Sequence, residues 1–216
     1  MQPVDSLPLV WFSSFILAFS GAMMPGPMLA VTIRESARRG FIAGPLVVAG
    51  HAFLELALVT GLYLGLAALF EERIFLGFIG VIGGAALLKM AWGMFHELPS
   101  LTLDFSAKVG KGANPFVSGI VTSVTNPYFT LWWATAGLSA ITLTSRGGIA
   151  APGVFYAGHI TGDLVWYSVI SGLVHFGRKF LTDRRYRILV GLMATLLVIF
   201  SLLFIVNGVS QFVTNQ

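Results

Sequence analysis

Charge is the scarcest feature of this chain. Of its 216 residues only 10% are Asp, Glu, Lys or Arg, against about 25% in an average soluble domain. Cysteine is absent, which excludes disulfides, thiol redox chemistry and thiolate metal sites. No Lys or Arg precedes the first apolar run, so the N-terminal stretch lacks the basic flank of a cleaved signal peptide and is expected to persist as a helix. Neither a His-Glu-x-x-His nor a Gly-x-Ser-x-Gly run occurs, and His51 and Glu55 have no second histidine on their own stretch. That speaks against an intramembrane enzyme. The net charge of +4 is no footprint of nucleic-acid binding, because the basic residues fall in loops on one side of the expected membrane.

Apolar residues are abundant. They make up 56% of the chain, mean hydropathy is +0.85, and they fall in runs too long for buried core helices. The pattern predicts a single all-α integral membrane domain over residues 1–216 with six transmembrane spans. Span 1 is expected from about Leu7 to Ile33, broken at Pro25-Gly26-Pro27. Span 2 runs from about Ile42 to Phe70 and span 3 from about Ile74 to Phe95. A polar connection over about 97–113 follows. Span 4 starts at the Asn114-Pro115 cap signal, is broken at Thr125-Asn126-Pro127 and ends near Leu143. Spans 5 and 6 run from about Pro152 to Phe176 and from about Ile188 to Phe212. The charged groups Arg34–Arg39 and Arg178–Arg187 are read as loops.

Eleven of the thirteen Lys and Arg lie in or beside the connections after spans 1, 3 and 5; only Arg73 and Arg146 lie on the other side. The positive-inside rule makes those three connections cytoplasmic and puts both termini outside, in a multi-pass plasma-membrane protein. The basic Arg178–Arg187 stretch also suits anionic lipid.

The two halves, about 7–96 and 114–212, repeat one order of features. Each has a proline-broken span, then Arg-Gly with a nearby proline (Arg39-Gly40 to Pro45, Arg146-Gly147 to Pro152). Each then reaches Ala-Gly-His-x-x-x-acid-Leu, at 49–56 and 157–164. Three spans per half is an odd number, so the second half inserts upside down. Inverted repeats with broken helices and a midplane site belong to secondary transporters.

The chemistry is expected where these features meet. Glu55 and Asp163 lie near the middle of apolar runs, where a charge costs roughly 2.5–3.5 kcal/mol. They should face inward, where protonation or a substrate ammonium relieves that cost. His51 and His159 sit one helical turn earlier on the same face and can tune the acids, relay protons or ligate metal; plain hydrogen bonding to their own acids is an equal alternative. A proline inside a helix frees backbone groups at a cost of about 3 kcal/mol. At Thr125-Asn126-Pro127 an N-cap followed by proline starts a new half-helix whose N–H groups and dipole suit a carboxylate. Pro25-Gly26-Pro27 can do the same. Gly80-x-x-x-Gly84 reads as a packing motif, with a homodimer seam as the lesser option. Trp11, Trp132, Trp133 and Trp166 are either interfacial anchors or lining of the path.

With these residues in view, the chain resembles the LysE/RhtB family of amino-acid exporters. The likeness lies in Met24-Pro25-Gly26-Pro27, Arg39-Gly40, the Gly83–Leu88 stretch with Trp92-Gly93, and Thr125-Asn126-Pro127. It implies a six-helix carrier without cofactor that exports amino acids or similar small solutes against inward proton flow. The substrate-binding residues expected are Pro25, Gly26, Pro27, Glu55, Asn126, Pro127 and Asp163, and the proton-coupling set is His51, Glu55, His159 and Asp163. The wider superfamily also holds divalent-cation exporters. A metal carrier using the same four His and acid residues is therefore the alternative function.

Overall fold

The computed structural model describes residues 6–24, 26–66, 72–102, 114–144, 148–177 and 182–213. Among these the chain is helical, without strands. The helices are α1 (Leu7–Ala22), α2 (Pro27–Arg39), α3 (Ala43–Gly61), α4 (Arg73–Glu97), α5 (Pro115–Thr125), α6 (Pro127–Trp132), α7 (Leu138–Thr144), α8 (Ala151–Phe176) and α9 (Asp183–Val213). One π-helical stretch extends α3 to Leu66, and another, Trp133–Gly137, joins α6 to α7. By length and composition α3, α4 and α9 can each cross a membrane, and the pair α1 and α2, bent by 84°, passes the same test only when the two are taken together. Helix α8 has 26 residues, about 39 Å at 1.5 Å per residue.

Apolar side chains cover the outside as well as filling the core. Phe53, Ile82, Trp92, Leu173 and Val206 are exposed, while Ser14, Thr32, Glu35, His51, Glu55, His159 and Asp163 are buried among apolar residues such as Val47, Phe155 and Leu197. An apolar exterior with polar groups kept inside is the distribution that hydrocarbon solvent selects.

Glycines decide how the helices meet. A Cβ on Gly50 of α3 would collide with the Phe116 carbonyl of α5, and one on Gly119 of α5 with the Val47 carbonyl of α3. In the second half a Cβ on Gly158 of α8 would collide with the Trp11 carbonyl of α1, and one on Gly162 with Phe15 and Ala18. The glycine of each Ala-Gly-His motif therefore lets its helix lie backbone to backbone on the pre-break helix of the opposite half. The next residue, His51 or His159, is then placed at the junction. Gly80 and Gly84 do the same for α4 against Gly208 and Ser201 of α9. The packing reading of Gly-x-x-x-Gly holds, since α9 of the same chain occupies that face.

Two charged groups expected in loops are helical where they are described, residues 178–181 of the second lying outside the described residues. Arg34 to Arg39 form the end of α2. There Arg39 Nε donates to Glu35 one turn back at 2.9 Å, and Gly40, at φ 83°, stops the helix. Arg184, Arg185 and Arg187 lie inside α9. Thr182 Oγ1 accepts from Arg185 N at 3.3 Å, and Asp183 occupies the first turn, so capping and dipole extend the helix past the apolar run. Gly40 and Gly148 both have positive φ. Each also accepts a backbone bond from the first residue of the following motif helix, Ala43 N at 3.2 Å and Ala151 N at 3.1 Å.

The glycine contacts generate a test. Gly50→Val and Gly158→Val should each destabilise the protein by about 1–3 kcal/mol or more, read as a lower unfolding temperature in detergent. Gly153→Ala meets nothing within 4 Å and should stay within about 0.5 kcal/mol of the parent. Equal losses at all three positions would contradict the backbone-contact account.

Candidate functional site

The two motif helices bring their four polar side chains to one point. His51 Nε2 lies 3.0 Å from Glu55 Oε1 and 3.6 Å from Asp163 Oδ2; His159 Nε2 lies 3.5 Å from Glu55 Oε1 and 3.7 Å from Asp163 Oδ2. Each histidine thus faces the acid of its own helix and the acid of the other. All four residues are buried, with 8% or less of their surface exposed. The i,i+4 spacing sets each pair on one face, and the crossing of α3 and α8 turns two pairs into a cluster.

Neighbouring groups fix its hydrogen bonding. Ser123 Oγ donates to Gly119 O at 2.8 Å, so it accepts the Nδ1–H of His51 at 2.6 Å. With Nδ1 carrying that proton, His51 Nε2 presents its lone pair to the acids unless a second proton is bound. Trp133 Nε1 donates to Glu55 Oε1 at 3.0 Å. The short His51–Glu55 contact then holds a proton, as imidazolium with carboxylate or as imidazole with carboxylic acid. Glu55 Oε2, Asp163 Oδ2 and His159 Nδ1 are buried and make no hydrogen bond within the described chain. Aromatic rings close the surroundings, with Trp132 at 4.8 Å and Trp133 at 5.5 Å from the His159 ring centre and Phe129 at 5.5 Å from that of His51.

A cleft opens onto the cluster. Gly21, Ala22, Met24 and Gly26, at the break between α1 and α2, form one wall; Asn126, Tyr128 and Phe129, at the break between α5 and α6, form another. The breaks face each other across it, and a Cβ on Gly26 would lie 3.9 Å from Asn126 Nδ2.

The four terminal carbonyls of α1 are all satisfied. Phe19 O accepts from Met23 N and Gly21 O from Met24 N; Ser20 O accepts from Tyr128 OH at 3.1 Å and Ala22 O from Tyr167 OH at 3.2 Å. Beyond the second break, Asn126 Oδ1 accepts from Tyr128 N at 3.1 Å, so α6 carries its own cap. Helix α2 differs. Gly26 supplies no side-chain cap and Pro27 has no N–H. The first intrahelical bond is Ala30 N to Gly26 O at 3.1 Å, which leaves the amides of Met28 and Leu29 ahead of it.

Of the residues singled out from sequence, His51, Glu55, His159, Asp163, Gly26 and Asn126 line this one cleft. Pro27 and Pro127 start the two half-helices beside it, and Pro25 lies outside the described residues. Trp132 and Trp133 line the cleft and are not interfacial anchors. Ser123, Tyr128 and Tyr167 escaped sequence reasoning. The Ser-x-x-Asn-Pro spacing was the available signal for the first, and nothing marked the tyrosines. A buried acid was also missed: Glu35, 2% exposed, is ringed by Arg39 at 2.9 Å, Arg34 at 3.4 Å and Arg38 at 3.9 Å.

Long apolar helices around a buried polar cluster, reached through two broken helices, define a carrier-like membrane protein. The model of the LysE type translocator family matches residues 19–208, and the chain belongs to that family, whose members export small molecules. It is also similar to the chemotactic transduction protein ChpE of Pseudomonas aeruginosa, 26% identical over 183 residues that cover 79% of this chain and 84% of that protein. No solved structure matches the chain.

The carbonyl bookkeeping at α1 yields a second prediction. Tyr167→Phe should lower stability by about 1–3 kcal/mol, because it leaves the buried Ala22 carbonyl without its donor, and Tyr128→Phe should cost less, because its bond to Ser20 O is exposed. Thermal unfolding of the purified variants measures this; unchanged stability in both would show that the phenols are not the carbonyls' essential partners.

Proposed function

We propose that the chain is a secondary exporter of an amino acid or a related small zwitterion, driven by inward proton flow. In this reading six helical spans cross the plasma membrane as two inverted three-helix repeats with both termini outside. The matched Gly40 and Gly148 turns, each eleven residues before its motif histidine, support the repeat. So do the matched glycine contacts of the two motif helices with the opposite half.

The observation that carries the reading is the position of the four-residue cluster on the wall of a cleft that also holds both helix breaks. A zwitterion needs an anion site and a cation site a few ångströms apart. Helix α2 offers the first, with N-terminal amides that no side chain caps and a positive dipole end. Helix α6 is the weaker candidate, since Asn126 already fills its N-terminus. Glu55 and Asp163 offer the second and exchange protons with the substrate ammonium, while His51 and His159 pass protons between them. Aromatic walls at Trp132, Phe129 and Tyr128 suit an uncharged side chain. Alternating access then comes from rocking one repeat against the other.

Transport into proteoliposomes under a pH gradient, with a panel of amino acids, tests this. Glu55→Gln and Asp163→Asn should abolish coupled transport in protein that still folds; normal transport in both would refute the mechanism. Gly26 has extended backbone, φ −165° and ψ −173°, which any residue can adopt. Gly26→Asp should therefore place a carboxylate on the α2 amides and raise KM at least about tenfold, the equivalent of roughly 1.4 kcal/mol, whereas Gly26→Ala should change it little. Equal effects of Asp and Ala would remove α2 as the carboxylate site.

A further inference from the structure

We propose that His51, Glu55 and Asp163 form a built site for a borderline divalent cation of the Zn²⁺ or Co²⁺ class, with His159 as fourth ligand. The inference rests on the geometry of the cluster. It shares residues with the proposed amino-acid site without depending on amino acids being the cargo.

His51, Glu55 and Asp163 each bring one ligand atom within 4.8 Å of the others. Ligand atoms around a tetrahedral zinc ion, bound at about 2.0–2.1 Å, stand roughly 3.3 Å apart. The His51 distances to the two carboxylates, 3.0 and 3.6 Å, bracket that value. His159 Nε2 lies 3.5 and 3.7 Å from the same two acids; it stands outside the set of three ligand atoms within 4.8 Å of one another and would have to move to join them. Imidazole nitrogen with carboxylate oxygen is a donor set for zinc, cobalt or manganese and is poor for softer ions that prefer sulfur.

Three further observations point to a ligand here and not to a closed polar cluster. Glu55 Oε2 and Asp163 Oδ2 are buried without a hydrogen-bond partner within the described chain. Ser123 holds the Nδ1–H of His51, which turns the Nε2 lone pair toward the acids. Metal-binding histidines are oriented in this way by the residues behind them. The charge also fits, since two carboxylates with two neutral imidazoles carry −2, which one divalent cation cancels in a medium that penalises net charge. The cation takes the place proposed for the substrate ammonium, so metal and amino acid exclude each other.

Isothermal titration of untagged, chelator-stripped full-length protein in detergent with Zn²⁺ alone tests the site. One ion per chain is expected. His51→Ala and Asp163→Asn should each weaken binding at least about tenfold. Ser123→Ala touches no metal and should weaken it roughly 10- to 100-fold through the lost orientation of His51, and Ser123→Thr should restore it. Cobalt spectra of the same samples should report nitrogen and oxygen ligation in the parent that is lost in the His51 variant. Absence of zinc binding at millimolar concentration, or equal affinity in all variants, overturns the proposal. Amino-acid transport by metal-free vesicles separates the two readings: transport without zinc binding removes the metal site alone, and zinc binding without transport of any amino acid removes the exporter reading alone.

Discussion

The interior of this protein is governed by one constraint. A polar group taken out of water must find a partner inside the chain, because the lipid offers none. Two carboxylic acids near the middle of apolar helices are the severest instance. The structure meets it by bringing each acid to both histidines, a distance of 3.0 to 3.7 Å in every pairing. Neither motif helix could do this alone. An i,i+4 pair brings one histidine to each carboxylate, and the crossing of α3 with α8 brings the second, while Glu55 Oε2 and Asp163 Oδ2 stay without a hydrogen bond within the described chain.

The same constraint explains the helix breaks. Interrupting the helical run between α1 and α2 and at Asn126-Pro127 frees backbone groups beside the cleft. At the end of α1 those carbonyls are taken by Tyr128 and Tyr167, and at the start of α6 Asn126 caps its own half-helix. The start of α2 alone has no side-chain cap among these break ends. A cleft that is polar at one end and aromatic along its walls follows from these choices. Glycines at 50, 119 and 158 bring the helices close enough for it to form.

Much of this was legible in the sequence, for identifiable reasons. Long apolar runs report the solvent, and the doubled Ala-Gly-His-x-x-x-acid pattern reports a shared site because spacing along a helix fixes which side chains share a face. The Asn126 cap was legible because capping is local. Helix ends were not. Arg34–Arg39 and Arg184–Arg187 look like loops to a hydropathy reading, yet arginine is a good helix former and local caps carry α2 and α9 past their apolar limits. Ser123, Tyr128, Tyr167 and the bond of Trp133 to Glu55 were illegible for another reason. Their roles depend on distances between residues far apart in the chain, such as the 78 positions separating Trp133 from Glu55.

The tyrosine contacts at the end of α1 carry a mechanical consequence. Ser20 and Ala22 belong to the first half of the chain; Tyr128 and Tyr167 belong to the second. Separating the halves at this point breaks both contacts and strands the buried Ala22 carbonyl at a cost of about 1–3 kcal/mol, while the exposed Ser20 carbonyl loses its partner more cheaply. Two phenol hydroxyls thus tie the second half of the chain to the broken end of the first.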